Sequence, residues 1–335
     1  MPTISQIASH AGVSRTSVWL TINHKEGVSD ELRQRVMDAV NHLDSTNDGA
    51  TIIAPRAVKS ILLLHSPYIT STEYFRNLLR GIQMAVDEDR IQLRITASDP
   101  DENPEHISAV YFSDPALRPS GIISMSSELL DRVQDRARQL NIPCVEIGTP
   151  QGGDEISFVS GNEIAAGRMA TRHLLELGHR SIGFIGHLVN APSLDRRVEG
   201  YYQEMRAWGI EPRDEWLYLT PERNIKQIVA HGFAQKQSAL TAVLFINWYS
   251  SVEGLSGLHE AGYAVPDDLS AIVFDDFEHA HQNQLTAVAY PLMQIGGEAV
   301  RVLVEHFNDP QLEITHRLFR TKLMKRASSA AYSSL

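Results

Sequence analysis

Apolar residues in the first part of the chain recur at helical spacing. Ile4, Ile7, Ala8 and Ala11 fall at i, i+3, i+4 and i+7, one stripe of a short helix. Thr3 and Gln6 stand at capping-box spacing, which places the helix start there. Gly12 then breaks the pattern, as a tight turn requires. Ser14 is placed to cap a second helix with Val18 and Ile22 inward, ended by Asn23-His24. Ser29 caps a third, with Asp30 and Glu31 in its positive first turn and Leu32, Val36, Ala39, Val40 and Leu43 as its buried stripe. Three short helices with a glycine turn between the first two form a helix-turn-helix pattern, whose second helix enters the major groove of DNA.

From residue 60 the pattern changes. Strand-like apolar runs fall at 61–64, 93–97, 121–125, 144–147, 182–185, 217–219, 242–246 and 271–274. Amphipathic helical stretches, such as 74–89, 129–140, 163–177, 194–208 and 250–261, lie between them. Alternating β and α units predict parallel sheets with right-handed crossovers. The strands are too many for one compact sheet. The expected fold is therefore an all-α helix-turn-helix headpiece joined to an α/β body of two doubly wound parallel-sheet subdomains. Ligands in such bodies sit at the carboxyl ends of the strands, in the cleft. Residues 45–59, rich in Ser, Asn, Asp and Gly, read as a connector.

Charge sharpens this picture. The chain carries a formal charge of −11, which gives no general affinity for nucleic acid, so any DNA contacts must be concentrated in a small region. Within residues 1–59 the basic side chains are Arg15, Lys25, Arg33, Arg35, Arg56 and Lys59. They are matched by Glu26, Asp30, Glu31, Asp38, Asp44 and Asp48. Such a neutral headpiece should hold random DNA weakly and lean on base contacts and dimerisation. The single cysteine, Cys144, excludes an internal disulfide and fits a reducing compartment. The first residues resemble no secretory signal, and no apolar run nears the ~18 residues of a spanning helix, so a cytoplasmic location is expected. Catalytic motifs are missing: there is no Walker loop, no G-x-G-x-x-G after a strand, and no second His to complete His259-Glu260 as a zincin. His279 and His281 would be two metal ligands at most. The expectation is a non-enzyme with no cofactor and no metal.

The stretch Ile4-Ser-Gln-Ile-Ala-Ser-His-Ala-Gly-Val-Ser-Arg-Thr-Ser-Val18, followed by Ile22-Asn23 and Val28-Ser29, resembles the headpiece of the lactose-repressor/galactose-repressor (LacI/GalR) family. The resemblance makes Thr3, Ser14, Ser17, Asn23 and Ser29 candidates for positioning the phosphate backbone, although hydroxyls at these places also cap helices. Arg15 and Thr16 fall where the family reads base edges; an Arg–guanine pair is worth about 1–3 kcal/mol of discrimination. Where the family usually shows Ser-Arg, this chain has Trp19-Leu20. Either these apolar groups meet thymine methyls in the groove, or Trp19 folds back onto the headpiece core. In the connector, the family's short hinge helix inserts a Leu into the minor groove. Here Ala54 stands in that place with Pro55 after it, which argues against a standard hinge helix.

The body continues the resemblance. Leu177-Gly-His-Arg-Ser-Ile-Gly-Phe-Ile-Gly186, Arg197-x-x-Gly200-Tyr201, Thr241-Ala-Val-Leu-Phe-x-Asn247, Gly262-Tyr-x-Val-Pro-x-Asp-Leu-Ser270 and Phe274-Asp275-Asp276 all match it. The fold implied is periplasmic-binding-protein-like, with three chain crossings between subdomains. Its boundaries would be a headpiece at 1–44, a linker at 45–59, and an N-subdomain at about 60–158 and 289–320. The C-subdomain would take about 159–288, and the Ser/Ala-rich residues 321–335 would form a flexible tail. The resemblance gives Arg197 and Asp275 the places of the family's ligand-binding Arg and hydroxyl-accepting Asp. Asn247 would share their cavity, with Trp248 offering a stacking face. Tyr74 and Phe75 begin a helix and either stack on a ligand or pack in the core. Family acids are lost at Gly148 and Gly161. The implied protein is a homodimeric repressor on a near-palindromic operator, controlled by a small molecule, expected to be a carbohydrate. The competing reading is a two-lobed sugar-binding protein without DNA function.

Overall fold

The computed structural model describes residues 4–22, 28–45, 59–99, 106–150, 155–187, 192–220, 224–234 and 239–332. The chain divides into two compact units, residues 1–58 and 59–335.

In the first unit, α1 (Ile4–Ala11), α2 (Arg15–Ile22) and α3 (Asp30–Ser45) surround a small core of Ile7, Ala8, Ala11, Val18, Val36, Ala39 and Val40. Gly12, with φ of 61°, makes the left-handed turn between α1 and α2. Arg35 donates to the Ala11 carbonyl at 2.8 Å and so stabilises the negative end of α1. One of the few headpiece cations is thereby committed to the fold. The linker residues 46–58, including Ile52, Ile53, Ala54 and Pro55, lie outside the described residues.

The second unit begins with β1 (Ser60–His65), α4 (Glu73–Glu88), β2 (Gln92–Ala97), α5 (His106–Phe112), β3 (Gly121–Ser124), α6 (Ser127–Gln139), β4 (Cys144–Ile147) and β5 (Ser157–Gly161). The chain then crosses into α7 (Glu163–Glu176), β6 (Ile182–His187), α8 (Pro192–Ala207), β7 (Leu217–Thr220), α9 (Ile225–Gly232) and β8 (Ala242–Phe245). It continues through α10 (Trp248–Glu260), β9 (Ser270–Phe274), α11 (Glu278–Gln282) and β10 (Thr286–Ala289). A second crossing leads to α12 (Leu292–Asn308) and β11 (His316–Phe319), and a third to β12 (Lys322–Met324).

Two six-stranded sheets result, ordered β11-β5-β4-β3-β1-β2 and β12-β10-β9-β8-β6-β7. Every pairing is parallel except β10 with β12. In each sheet the order reverses beside the first strand of its subdomain, between β1 and β3 and between β6 and β8. This is where doubly wound sheets open a ligand crevice. The inner strands β1, β3, β8 and β9 are buried at every position, as parallel strands covered on both faces require. Among the described residues no helix is long and apolar enough to cross a membrane.

The expectation of a flexible tail fails for residues 321–332. After β12 the chain runs along the amino ends of β9 and β10. The Ser328 hydroxyl, 3% exposed, accepts from Thr286 N at 2.8 Å and donates to the Ala271 carbonyl at 2.6 Å. Ala330 N donates to the Ser270 hydroxyl at 3.0 Å, and Tyr332 N donates to the Leu177 carbonyl at 2.8 Å. Small Ser and Ala side chains, which read as disorder in the sequence, let this strap lie close enough to satisfy strand-end backbone groups. Ser328→Ala leaves a buried N–H and a buried carbonyl without that partner. It is expected to lower stability by about 1–3 kcal/mol, measured by urea unfolding against the parent; an unchanged midpoint would show that the strap is not held this way.

Candidate functional site

In the headpiece the candidate DNA-reading residues lie on and around α2. Arg15 and Thr16 are exposed, while Ser17 and Leu20 are half-buried. The Ser14 hydroxyl accepts from Ser17 N at 3.0 Å and pairs with the Ser17 hydroxyl at 2.9 Å. The Ser29 hydroxyl accepts from Leu32 N at 3.3 Å. Both serines thus cap their helices. Thr3 and Asn23 lie outside the described residues, as does the side chain of Trp19.

A buried ion pair joins the start of α7 to α8. Asn162, at the first crossing, caps α7 by accepting from Ala165 N at 3.0 Å, which puts Glu163 in the positive first turn of that helix. Helix α8 packs against α7 at very short range. A Cβ on Gly167 would lie 2.2 Å from the Arg197 carbonyl oxygen, and one on Gly200 would lie 2.3 Å from that of Ile164. Two glycines therefore set the approach that brings Arg197 to Glu163. The guanidinium donates from Nε to Glu163 Oε2 at 2.7 Å and from the second terminal nitrogen to Oε1 at 3.5 Å. Its other terminal nitrogen donates to the Ile246 carbonyl at 2.7 Å, at the carboxyl end of β8. The Tyr290 hydroxyl donates to Glu163 Oε2 at 2.6 Å. The rings of Phe274 and Tyr290 lie 5.1 and 4.9 Å from the guanidinium carbon. Arg197 and Glu163 are each 6% exposed.

Further polar groups meet around this pair. Asp275, with φ of 80°, ends β9 and is 7% exposed. Burial pushes its carboxyl up to about 6, with Glu163 adding to the rise and Arg197 and a Trp248 backbone hydrogen bond opposing it. Tyr74 is half-buried, and its hydroxyl is held well above its ordinary value by burial and then by the Asp275 and Glu163 charges. Burial likewise raises the Tyr290 hydroxyl, against the pull of Arg197. Burial works against the Arg197 charge, and Glu163, Tyr290 and Asp275 together more than offset this, so the guanidinium is held above its ordinary value. Glu146, at the end of β4 and 3% exposed, accepts from the Ser127 hydroxyl; burial pushes it up to about 7. Gly148 and Ser193 face each other across this region, where the Ser193 hydroxyl accepts from Thr149 N at 3.2 Å.

Two expected pocket residues have other work. Phe75 is 5% exposed and belongs to the core of the first sheet, its ring 4.5 Å from that of His65. It is part of the core, and Tyr74 packs against the edge of the same core with its hydroxyl acted on by the Asp275 and Glu163 charges. Asn247 caps α10, its side-chain oxygen accepting from Ser250 N at 2.9 Å, so that oxygen is committed to the helix start. Trp248 rises from the second sheet and packs against the core cluster of the first, edge-on to Tyr249. Asp276 pairs with Arg326 at 2.7 Å and with His281 at 3.4 Å, a structural role.

Glu163 and Tyr290 were not among the candidates. A Glu in the first turn of a helix reads as a charge favouring the helix dipole, and Tyr290 stands beyond any motif. The signal was Gly161: a Cβ there would lie 2.6 Å from the Tyr290 ring. The acid lost at 161 makes room for Tyr290, and a carboxylate returns two residues later.

Comparisons with known proteins bear on the family and the fold. Residues 3–46 match the family described as bacterial regulatory proteins, lacI family, and residues 171–329 match a periplasmic binding protein-like domain. Among curated proteins, the HTH-type transcriptional repressor PurR of Mannheimia succiniciproducens is 26% identical over 314 residues, covering 91% of this chain and 92% of that protein. Catabolite control protein A of Staphylococcus epidermidis is 27% identical over 315 residues, covering 93% and 94%. Among solved structures, a transcriptional regulator CelR–cellobiose complex superposes with a TM-score of 0.71 at 23% identity, over 98% of this chain and 100% of that one. A LacI family regulator from Enterococcus faecium with bound ribose gives 0.69 at 22%, over 82% and 100%. These structural likenesses establish the fold.

The Glu146 carboxyl holds its proton to a higher pH in the folded chain than in the unfolded one. The stability this confers is complete below the ordinary carboxylate range and is lost as pH climbs through about 7. Glu146→Gln keeps the oxygen that Ser127 reaches and removes the charge. Its stability should equal the parent's at pH 5 and exceed it at pH 8 by about 2–3 kcal/mol. Urea unfolding at both values checks this, and a constant difference would contradict it.

Proposed function

The chain belongs to the LacI/GalR family of DNA-binding transcription regulators, and from that premise we propose that it is a repressor whose operator affinity is set by a small hydroxylated molecule bound in the cleft. The observation that carries this reading is the origin of the cleft residues. Tyr74 and Glu146 come from the first subdomain, Arg197, Trp248 and Asp275 from the second. A ligand touching both sets favours one closure of the lobes over another, and only such differential affinity can shift an equilibrium between two states. A relative being named a repressor supports the direction of control. Neighbours solved with cellobiose and with ribose support a carbohydrate. The polar groups suit it as well: Asp275 accepts from hydroxyls, and Tyr74 and Trp248 offer aromatic faces.

On the DNA side, we assign Arg15 and Thr16 to base edges and Leu20 to an apolar contact on the same face of α2, with the capped helix starts at Ser14 and Ser29 and the nearby Ser17 meeting phosphates. Thr3, Trp19 and Asn23 keep the roles that the family resemblance implies. One headpiece reads one half-site, so a two-fold homodimer on a near-palindromic operator follows. The reading of a two-lobed binding protein without DNA function is disfavoured by the headpiece match at residues 3–46.

Selection of operators from a random DNA pool with the full-length protein should return a near-palindromic consensus. Arg15→Ala should relax discrimination at one base pair of each half-site by about 1–3 kcal/mol. Failure to enrich any sequence at low salt, with or without added sugars, would overturn the regulator reading. For the cleft, a sugar that releases the parent from its operator should lose that effect with Arg197→Ala and with Asp275→Ala. Release that persists in both variants would remove these residues from the effector site.

A further inference from the structure

The guanidinium in the cleft is already occupied. An arginine at the end of a crevice is a ready receptor for a carboxylate or phosphate, because its planar fork matches two oxygens at once. Here the Glu163 carboxylate takes that place from within the chain, at 2.7 and 3.5 Å, and the Ile246 carbonyl takes a third donor at 2.7 Å. The Tyr290 hydroxyl holds the carboxylate from its other side at 2.6 Å. With Arg197 neutralised by Glu163, the other carboxyl acting on the pair is that of Asp275, which is also buried. An incoming anion would have to displace a buried, doubly bonded carboxylate and would then leave it unpaired beside the Asp275 carboxyl. A buried charge without a partner is among the costliest arrangements a protein can hold.

We propose that Glu163 sets the charge class of the effector: by acting as a built-in anion on Arg197, it limits the cleft to uncharged or cationic hydroxylated molecules, such as a hexose or an amino sugar, and refuses sugar acids and sugar phosphates. The inference rests on the reading of this cleft as the effector site. Glu163 is a specificity residue here, acting through the guanidinium it covers. Gly161 and Tyr290 make the arrangement possible, since a side chain at 161 would push Tyr290 away from Glu163.

The test measures anion binding by the full-length parent and by Glu163→Gln, at pH 8 so that Asp275 and Glu146 are ionised. Inorganic phosphate, gluconate and glucose 6-phosphate are compared with glucose and glucosamine at matched ionic strength, by thermal shift and titration calorimetry. The parent should show no stabilisation by the three anions beyond a chloride control. Glu163→Gln, which frees the guanidinium while keeping the side-chain shape, should bind phosphate at least tenfold more tightly than the parent. Arg197→Met in that background should abolish the gain. Tyr290→Phe, which unfastens Glu163 while keeping the ring, should move in the same direction by a smaller factor and serves if Glu163→Gln does not fold. Three results would overturn the proposal: an anion preferred by the parent over its neutral counterpart, no phosphate gain in a folded variant, or a gain that survives Arg197→Met. Each leaves the effector site itself standing, because that reading depends on sugar-driven operator release and its loss with Arg197→Ala and Asp275→Ala.

Discussion

The body of this protein depends on one buried charge pair. Removing a guanidinium and a carboxylate from water costs several kcal/mol for each ion, and their attraction offsets this only when geometry and further hydrogen bonds are good. Arg197 and Glu163 meet those conditions through their neighbours. Ile246 accepts from the guanidinium, Tyr290 donates to the carboxylate, and two aromatic rings cover the cation. Each neighbour is therefore constrained in turn. The glycines at 167 and 200 cannot carry a side chain, and Gly161 cannot without moving Tyr290. Losing one partner of such a pair typically costs about 3–5 kcal/mol, more than losing both to a well-packed apolar replacement.

Much of the architecture was legible in the pattern of apolar residues, and the exceptions share a cause. The buried runs of β1, β3, β8 and β9 stand out because parallel strands covered on both faces need Val, Ile, Leu and Phe. Strand β5 does not stand out, although every residue from Ser157 to Gly161 is buried. Its Ser and Gly residues are there to receive Tyr290 and to bond with groups remote in the chain, such as His306 and Thr315. The strap at 325–332 escaped notice for the same reason. Small residues chosen for close backbone approach look like loop composition until their partners are known.

The candidate site divides along similar lines. Asp275 directly follows β9, where topology alone directs attention, Arg197 lies in the second turn of α8, and the structure places both in the charged cluster. Phe75 and Asn247 are adjacent to the cleft in sequence but are committed to the core and to a helix cap. Sequence proximity to a strand end says which residues are near a crevice; it does not say which way they face. Glu163 was invisible because its meaning depends on Arg197, 34 residues later, and on the glycine contact between their helices.

The position of the pair in the chain explains how a small molecule could act at a distance. Glu163 opens α7 at the first crossing between subdomains, and Tyr290 stands between β10 and α12 at the second. The side chains that hold Arg197 are thus rooted in two of the segments that connect the subdomains. The third crossing joins the same region, since Asn162 N donates to the Phe319 carbonyl at 2.9 Å. Under the proposed function, a ligand that changes the hydrogen bonding around Arg197 also pulls on these connections. Hinges are commonly a few residues at element ends that absorb a change in backbone angle, and under the proposed function these crossings would serve as such, tied to Arg197 by side chains. Coupling between ligand and lobe angle then needs no long relay. It follows from placing the internal anion, its tyrosine and the crossings within one hydrogen-bonded group.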